Sequence, residues 1–298
     1  MTWGDPTGLA RWSVAKIAYG GADGFEEEKR AFEASVAAGV NLFDTAEYYS
    51  GGASERRLGE LDHGKSALIA TKFPPSLLSR TEDMPKALDA SLERLGRSSV
   101  DLYQHHFPLP GMSIPKLMDL MADAVEAGKV RAVGVSNYSA AQMRLAQAAL
   151  ADRGIPLASN QVEYSLLYRR PEVNGVLDAC RELGVTLIAY QPLASGALTG
   201  KYGVGSRPTG LRRFLSYFRG KGFEVVSPVV ALLREIGGRY SRSPAQVALR
   251  WLIENEDVVP IPGAKNGSQA AENAGALAFS LTPAEIEALS QATTAWRE

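Results

Sequence analysis

A single-domain (β/α)8 barrel over residues 1–298 is the architecture this sequence predicts, and three observations predict it. Short apolar runs recur along the chain, and amphipathic helical stretches separate them. No run leads into the G-x-G-x-x-G turn of a doubly wound dinucleotide fold, which is the competing architecture; "YGGADG" (19–24) is only a glycine-rich turn.

The runs, in order, are "VNLFDT" (40–45), "ALIATKF" (67–73), "VDLYQHHF" (100–107), "VRAVGVSN" (130–137), "LASNQV" (157–162), "VTLIAYQP" (185–192) and "VVPIPG" (258–263). They are nearly continuous in apolar residues, without strict alternation, as strands buried on both faces of a parallel sheet require. "MTWGD" (1–5) is read as the eighth strand. "GFEEEKRAFEASVAAG" places acids in a first helical turn, where the helix dipole favours them, and closes on Gly39. "MPKALDASLERLG" repeats Met84, Leu88, Leu92 and Leu95 at helical spacing before Gly96. Residues 193–226 break the rhythm: they show no period and are too long for a routine connection, which marks a functional loop.

Composition excludes several classes of function. With 45% hydrophobic and 22% charged residues the chain can bury a large core, and a formal net charge of −1 supplies no field for nucleic acid or an anionic membrane. Cys180 is the one cysteine, so no intramolecular disulfide forms, and "LDACRELG" reads as a helix with a core thiol. No basic-then-apolar leader and no bilayer-length apolar stretch are present, so the chain reads as cytoplasmic. "GELDHGKS" (59–66) matches the P-loop pattern, but a helix precedes it and a strand follows. That order is the reverse of a P-loop, which leaves Lys65 a solvated turn residue.

Asp44, Lys72, His106, Ser136, Asn137, Gln161 and Tyr190 all stand where a run gives way to a loop. Parallel barrel strands share one direction, so these residues converge on one rim. Tyr49 follows Asp44 by five residues. An ammonium about 4 Å from a phenol, in an effective dielectric of about 20, is worth roughly 4 kcal/mol, so Lys72 is expected to draw Tyr49 down towards neutrality. Asp44 holds Lys72 charged, and a histidine hydrogen-bonds the substrate oxygen. Such a set protonates a carbonyl oxygen as hydride reaches carbon. A Schiff-base barrel enzyme with Lys72 as nucleophile is the rival chemistry.

"GVNLFDTAEYYSGGASERRLG", "IATKF", "DLYQHHFP", "VGVSNYS", "SNQVEYSLLYR", "IAYQPLASGALTGKY" and "IPGAKNGSQAAEN" together resemble the aldo-keto reductases, in order and across nearly the whole chain. The resemblance implies NADP(H)-dependent reduction of a small-molecule aldehyde or ketone, with no metal, nucleic acid or membrane partner. It assigns the catalytic tetrad to Asp44, Tyr49, Lys72 and His106, with Tyr49 as proton donor. His105, next to His106 on a strand, then points away from the rim centre. Tyr48 and Phe107 resemble walls of the substrate pocket.

By the same resemblance, Ser136, Asn137 and Gln161 bind the nicotinamide carboxamide, and Tyr190 stacks on the ring. The stretch from Gln191 to Lys201, including Leu193 and Ser195, holds the pyrophosphate, with Gln191 where relatives carry a smaller polar residue. Gly263, Lys265, Gln269, Glu272 and Asn273 form the adenosine end, where Lys265 favours NADP over NAD. The basic segment 193–226, with Lys201, Arg207, Arg212, Arg213, Arg219 and Lys221, then covers the cofactor. Relatives begin with a hairpin under the barrel and a strand similar to G-T-M-T-W-G-D, and this sequence opens inside that strand. The resemblance also admits a nicotinamide-binding regulatory subunit with slow residual activity.

Overall fold

A computed structural model describes residues 3–4, 24–73, 80–203, 206–208 and 210–298. Seven strands form one parallel sheet in chain order: β1 (Leu42–Asp44), β2 (Leu68–Phe73), β3 (Val100–His105), β4 (Val130–Ser136), β5 (Leu157–Glu163), β6 (Thr186–Tyr190) and β7 (Val258–Pro260). Each strand lies within its apolar run or ends one residue beyond it. Parallel neighbours need crossovers, and helices supply them: α1 (Phe25–Ala37), α2 (Ala53–Leu61), α3 (Met84–Leu95), α4 (Ile114–Glu126), α5 (Ala140–Ala151), α6 (Val176–Leu183), α7 (Lys221–Tyr240), α8 (Pro244–Ile253), α9 (Gly267–Ala274) and α10 (Pro283–Ala292). Among these residues no helix is long and apolar enough to cross a membrane.

The order β1 to β7 is that of a barrel sheet, and the eighth strand is not among the described residues. Of residues 1–5 only Trp3 and Gly4 are described, and neither is in a strand. Trp3 is buried, donates its indole N–H to the Ala264 carbonyl at 3.1 Å and packs against Phe43; the Gly4 amide donates to Glu28 at 2.9 Å. Both contacts hold this short stretch between the end of β7 and the start of the sheet.

Period-two alternation divides the strand residues between two cores. Ile69, Phe73, Tyr103, Val133 and Val135 join the large core between sheet and helices. Ala70, Leu102 and Ile188 form a smaller cluster with Leu42, Ala132, Ala158 and Ile261. Two residues further along the same faces, the side chains turn polar: Leu42 gives way to Asp44, Ala70 to Lys72 and Leu102 to Gln104. An apolar floor therefore lies directly beneath a polar layer, and that layer leads to the rim.

The helices form where the sequence predicts them. Gly96 ends α3 at φ 62°, a left-handed conformation that glycine adopts without strain. Residues 59–66 run from the end of α2 through a turn into β2, with Lys65 exposed, so the P-loop reading fails as expected. Cys180 is buried in α6, and burial pushes its thiol up to about 12. The irregular segment needs a correction. It ends at Gly220, because Lys221 already begins α7 and Val226, Val229, Val230 and Leu233 give that helix a buried face. Gly222 and Pro228, poor helix formers within its first three turns, masked the periodicity.

Candidate active site

Lys72 is fully buried, yet it is charged, so it must be compensated. Its Nζ donates to Asp44 Oδ2 at 2.6 Å and to the Thr45 carbonyl at 2.8 Å. The ring of Tyr49 lies 5.0 Å from the same nitrogen, and a Lys72–Tyr49 hydrogen bond joins the two side chains. The His106 ring meets Tyr49 edge-on at 5.9 Å. The four residues of the expected tetrad, drawn from β1, β2 and the stretches after β1 and β3, thus meet in one place.

Their electrostatics correct one expectation. Burial raises the Tyr49 phenol, and the opposing pull of the Lys72 ammonium and its hydrogen bond is smaller, so Tyr49 sits above its ordinary value of 10.0. The sequence reading treated the cation without the desolvation that comes with bringing both groups inside. Burial pulls Lys72 down, but the Asp44 carboxylate, Tyr49 and the hydrogen bonds to both outweigh it, and the ammonium is held above 10.5. A lysine held charged in this way is a poor nucleophile, which counts against Schiff-base chemistry.

His106 is lowered to about 3, first by burial and then by Lys72, so its ring is neutral. Its Nδ1 is buried with no hydrogen-bond partner. A buried lone pair costs less than a buried orphan N–H, so we place the proton on Nε2. His105 faces the other way, as the strand alternation requires: Nδ1 shares a 2.7 Å hydrogen bond with the Tyr138 hydroxyl, and the ring stacks on Phe73. Burial lowers it to about 4.

The carboxyl ends of β4, β5 and β6 are knitted together beside this cluster. Ser136 Oγ donates to the Gln161 carbonyl at 2.8 Å; the Asn137 side-chain amide donates to the His106 carbonyl at 3.2 Å and to Ser136 Oγ at 3.0 Å; the Tyr190 hydroxyl donates to Asn137 Oδ1 at 3.0 Å. Gln161 Nε2 donates to Asp44 Oδ1 at 2.7 Å, which ties these residues to the Lys72–Asp44 pair.

Backbone strain concentrates in these same loops. Asn137 (φ 61°), Gln191 (φ 55°), Ala194 (φ 48°) and Ser195 (φ 56°) are left-handed without being glycine, a state that persists only where surrounding structure enforces it. Gln191 Oε1 accepts from both the amide and the hydroxyl of Ser195, at 3.0 and 2.9 Å, so its side chain braces this turn. Leu193 packs against the core and Lys201 is exposed. Arg212, from the basic segment, approaches Gly196 of the turn, and its Nε is buried without a partner.

At the end of β7, Asn273 Nδ2 donates to the Gly263 carbonyl at 3.2 Å, and the Lys265 amide donates to Gln269 Oε1 at 2.9 Å. Asn266 caps α9 through the Gln269 amide. Glu272 is joined by its carbonyl, which accepts from Gln246. At the mouth, Phe107 stacks on His106 with ring centroids 4.7 Å apart, and Tyr48 is 66% exposed. Gln104 was missed. It lies near the end of β3, is fully buried and reaches Asp44, a contact that its place inside an apolar run does not reveal.

Comparison with known proteins gives one consistent result. A model of the Aldo/keto reductase family matches residues 15–293. An uncharacterised oxidoreductase of Mycobacterium tuberculosis is 38% identical, over 97% of this chain and 90% of its own length. The chloroplastic pyridoxal reductase of Arabidopsis thaliana is 35% identical, over 93% and 80%. A glycerol dehydrogenase from Gluconobacter oxydans superposes with a TM-score of 0.82 at 26% identity, covering 94% of this chain and 90% of its own.

Proposed function

The chain belongs to the aldo/keto reductase family and is an oxidoreductase, and from that membership we propose that it reduces an aldehyde or ketone to an alcohol with NADPH, Tyr49 donating the proton. The observation that carries the reading is the buried Lys72, charged, paired with Asp44 and hydrogen-bonded to Tyr49, whose ring meets that of the neutral His106.

The residues present suit a dinucleotide. Arg212 offers a buried guanidinium nitrogen without a partner, next to a turn forced into left-handed geometry, and a pyrophosphate would satisfy it. On this reading Ser136, Asn137, Gln161 and Tyr190 hold the nicotinamide end, the turn from Gln191 to Lys201 with Leu193 and Ser195 holds the pyrophosphate, and Gly263, Lys265, Gln269, Glu272 and Asn273 hold the adenosine end. Lys265 supports NADP over NAD as a partner for a 2′-phosphate. The bound cofactor supplies hydride to the carbonyl carbon.

The chain's own residues manage the oxygen. His106 donates its Nε2 proton in a hydrogen bond to the carbonyl oxygen and, being neutral, keeps that proton. Tyr49 then transfers its phenolic proton to the developing alkoxide. Lys72 stabilises the phenolate left behind, and Asp44 keeps Lys72 in place. Tyr48 and Phe107 would enclose the organic part of the substrate, and the described residues between Leu193 and Gly220 would cover the cofactor.

Tyr49→Phe tests this directly. NADPH oxidation over a panel of aldehydes and ketones is expected to fall by at least a hundredfold, while NADPH affinity, read by fluorescence titration, stays unchanged. Undiminished turnover in that variant removes Tyr49 as the donor.

A further inference from the structure

We propose that Gln104 is a positioning residue of this site: with Gln161 it clamps one oxygen of Asp44, so that the other oxygen is presented to Lys72. The proposal rests on the reading of the site as a reductase centre, and it concerns a residue that reaches the substrate only through Asp44, Lys72 and Tyr49.

The clamp is visible atom by atom. Asp44 Oδ2 receives Lys72 at 2.6 Å. Asp44 Oδ1 receives Gln161 Nε2 at 2.7 Å and Gln104 Nε2 at 3.3 Å, and Gln161 Nε2 also reaches Gln104 Oε1 at 3.4 Å. A carboxylate accepts and does not donate, so both amides must turn their NH2 ends to it, and each glutamine side chain has a single orientation. Gln104 pairs directly with Lys72 across the β2–β3 ladder, so one strand step fixes two of the three side chains that meet Asp44.

The barrel interior also makes room for this side chain. On the other side of Gln104, its β4 partner is Gly134, whose absent Cβ would fall 3.0 Å from Gln104 Cγ and 2.4 Å from Ser159 Oγ. Any larger residue there would push the glutamine stem away from Asp44. A fully buried amide between a glycine and a carboxylate is an arrangement that packing alone does not require, because leucine would fill the volume without a polar cost.

The consequence is functional through two contacts. Were Asp44 free to rotate about its terminal torsion, Lys72 would lose its fixed partner, and with it the position of the ammonium next to Tyr49. The charged groups facing position 104 are Asp44 and Lys72, so a second carboxylate there would leave one ammonium to serve two anions.

Gln104→Glu and Gln104→Leu supply the test, each read by kcat and KM against pH from 5.5 to 8.5, by NADPH titration, and by urea unfolding. A protonated glutamic acid reproduces both contacts, donating to Asp44 and accepting from Gln161. Once ionised it repels Asp44, and such a pair holds one of its two protons to unusually high pH. Gln104→Glu is therefore expected to retain kcat at the acid end and lose about tenfold as pH rises, with KM and NADPH affinity unchanged. Its urea midpoint should fall over the same range, and Asp44→Asn in the same chain should abolish that fall. Gln104→Leu should lose about tenfold in kcat at every pH.

A loss in Gln104→Glu that ignores pH, or a kcat that follows the parent's while the urea midpoint drops, overturns the proposal. Failure of the underlying reading looks different: the parent protein itself would oxidise no NADPH with any carbonyl. In that case the urea series, with and without Asp44→Asn, still decides whether the clamp exists.

Discussion

Acidification between pH 7 and pH 5 should destabilise this protein through its two adjacent buried histidines. His105 is lowered to about 4 and His106 to about 3, both first by burial. Unfolding releases each ring to an ordinary value near 6.5. Below that value the unfolded state binds protons that the folded state refuses, so stability falls with pH and keeps falling until the folded rings titrate. At pH 5 each histidine costs about 2 kcal/mol relative to pH 7, and the pair about 4 kcal/mol. Glu47 and Glu163 work in the opposite sense, since burial raises both carboxyls and the folded state takes up their protons first. A difference measurement cancels them. His105→Gln can keep a hydrogen bond to Tyr138 but cannot titrate, so urea unfolding at several pH values should show its stability falling less steeply than the parent's. The gap should reach about 2 kcal/mol by pH 5 and amount to one proton less taken up on unfolding. Identical slopes in the two proteins would mean that His105 is not held neutral, and the burial argument for the pair would fail with it.

Two further outcomes follow from the same contacts. Lys72→Met strands the Asp44 carboxylate among two amides, and should cost about 3–5 kcal/mol in urea unfolding; adding Asp44→Asn should restore part of that stability and none of the activity. His106→Ala should reduce kcat/KM by at least a hundredfold, whereas His105→Ala should lower thermal stability and leave kcat/KM within a few fold. The reverse ranking would refute the strand-facing assignment of the two histidines.

Much of this site was legible because the topology of a parallel sheet does the assembling. Asp44, Lys72 and His106 lie far apart in sequence, yet each ends or follows an apolar run, and parallel strands carry run ends to one rim. Alternation then separated His105 from His106 without any coordinates. Three features were not legible, each for a physical reason. The start of α7 was hidden by Gly222 and Pro228, whose weak helix propensity is overridden by the buried valines that follow. The hydrogen bond from Gln161 to Asp44 was not foreseen, because donor and acceptor lie on strands far apart in the sequence and meet only across the inner face of the sheet. Gln104 was passed over because a glutamine inside an apolar run carries no signal by itself. It gains meaning only once Asp44 is known to lie across the strand.

The raised phenol of Tyr49 bears on direction, given the proposed role. A donor for carbonyl reduction must carry its proton at rest, and burial ensures that Tyr49 does so across the neutral range. A phenol drawn down to neutrality, as the cation alone suggests, would be half ionised and half idle. What Lys72 contributes comes later, because the attraction of its ammonium is greatest for the phenolate that appears only as the proton leaves. Desolvation and the cation therefore act on different states of one residue: the first keeps the proton on until the alkoxide needs it, the second lowers the barrier to giving it up. Alcohol oxidation would require the opposite, a phenolate at rest, which this burial disfavours. On the proposed role, alcohol oxidation by the same residues should therefore need a higher pH than reduction, while the ratio of the two rates at any one pH stays with the equilibrium of the reaction, which a catalyst does not alter.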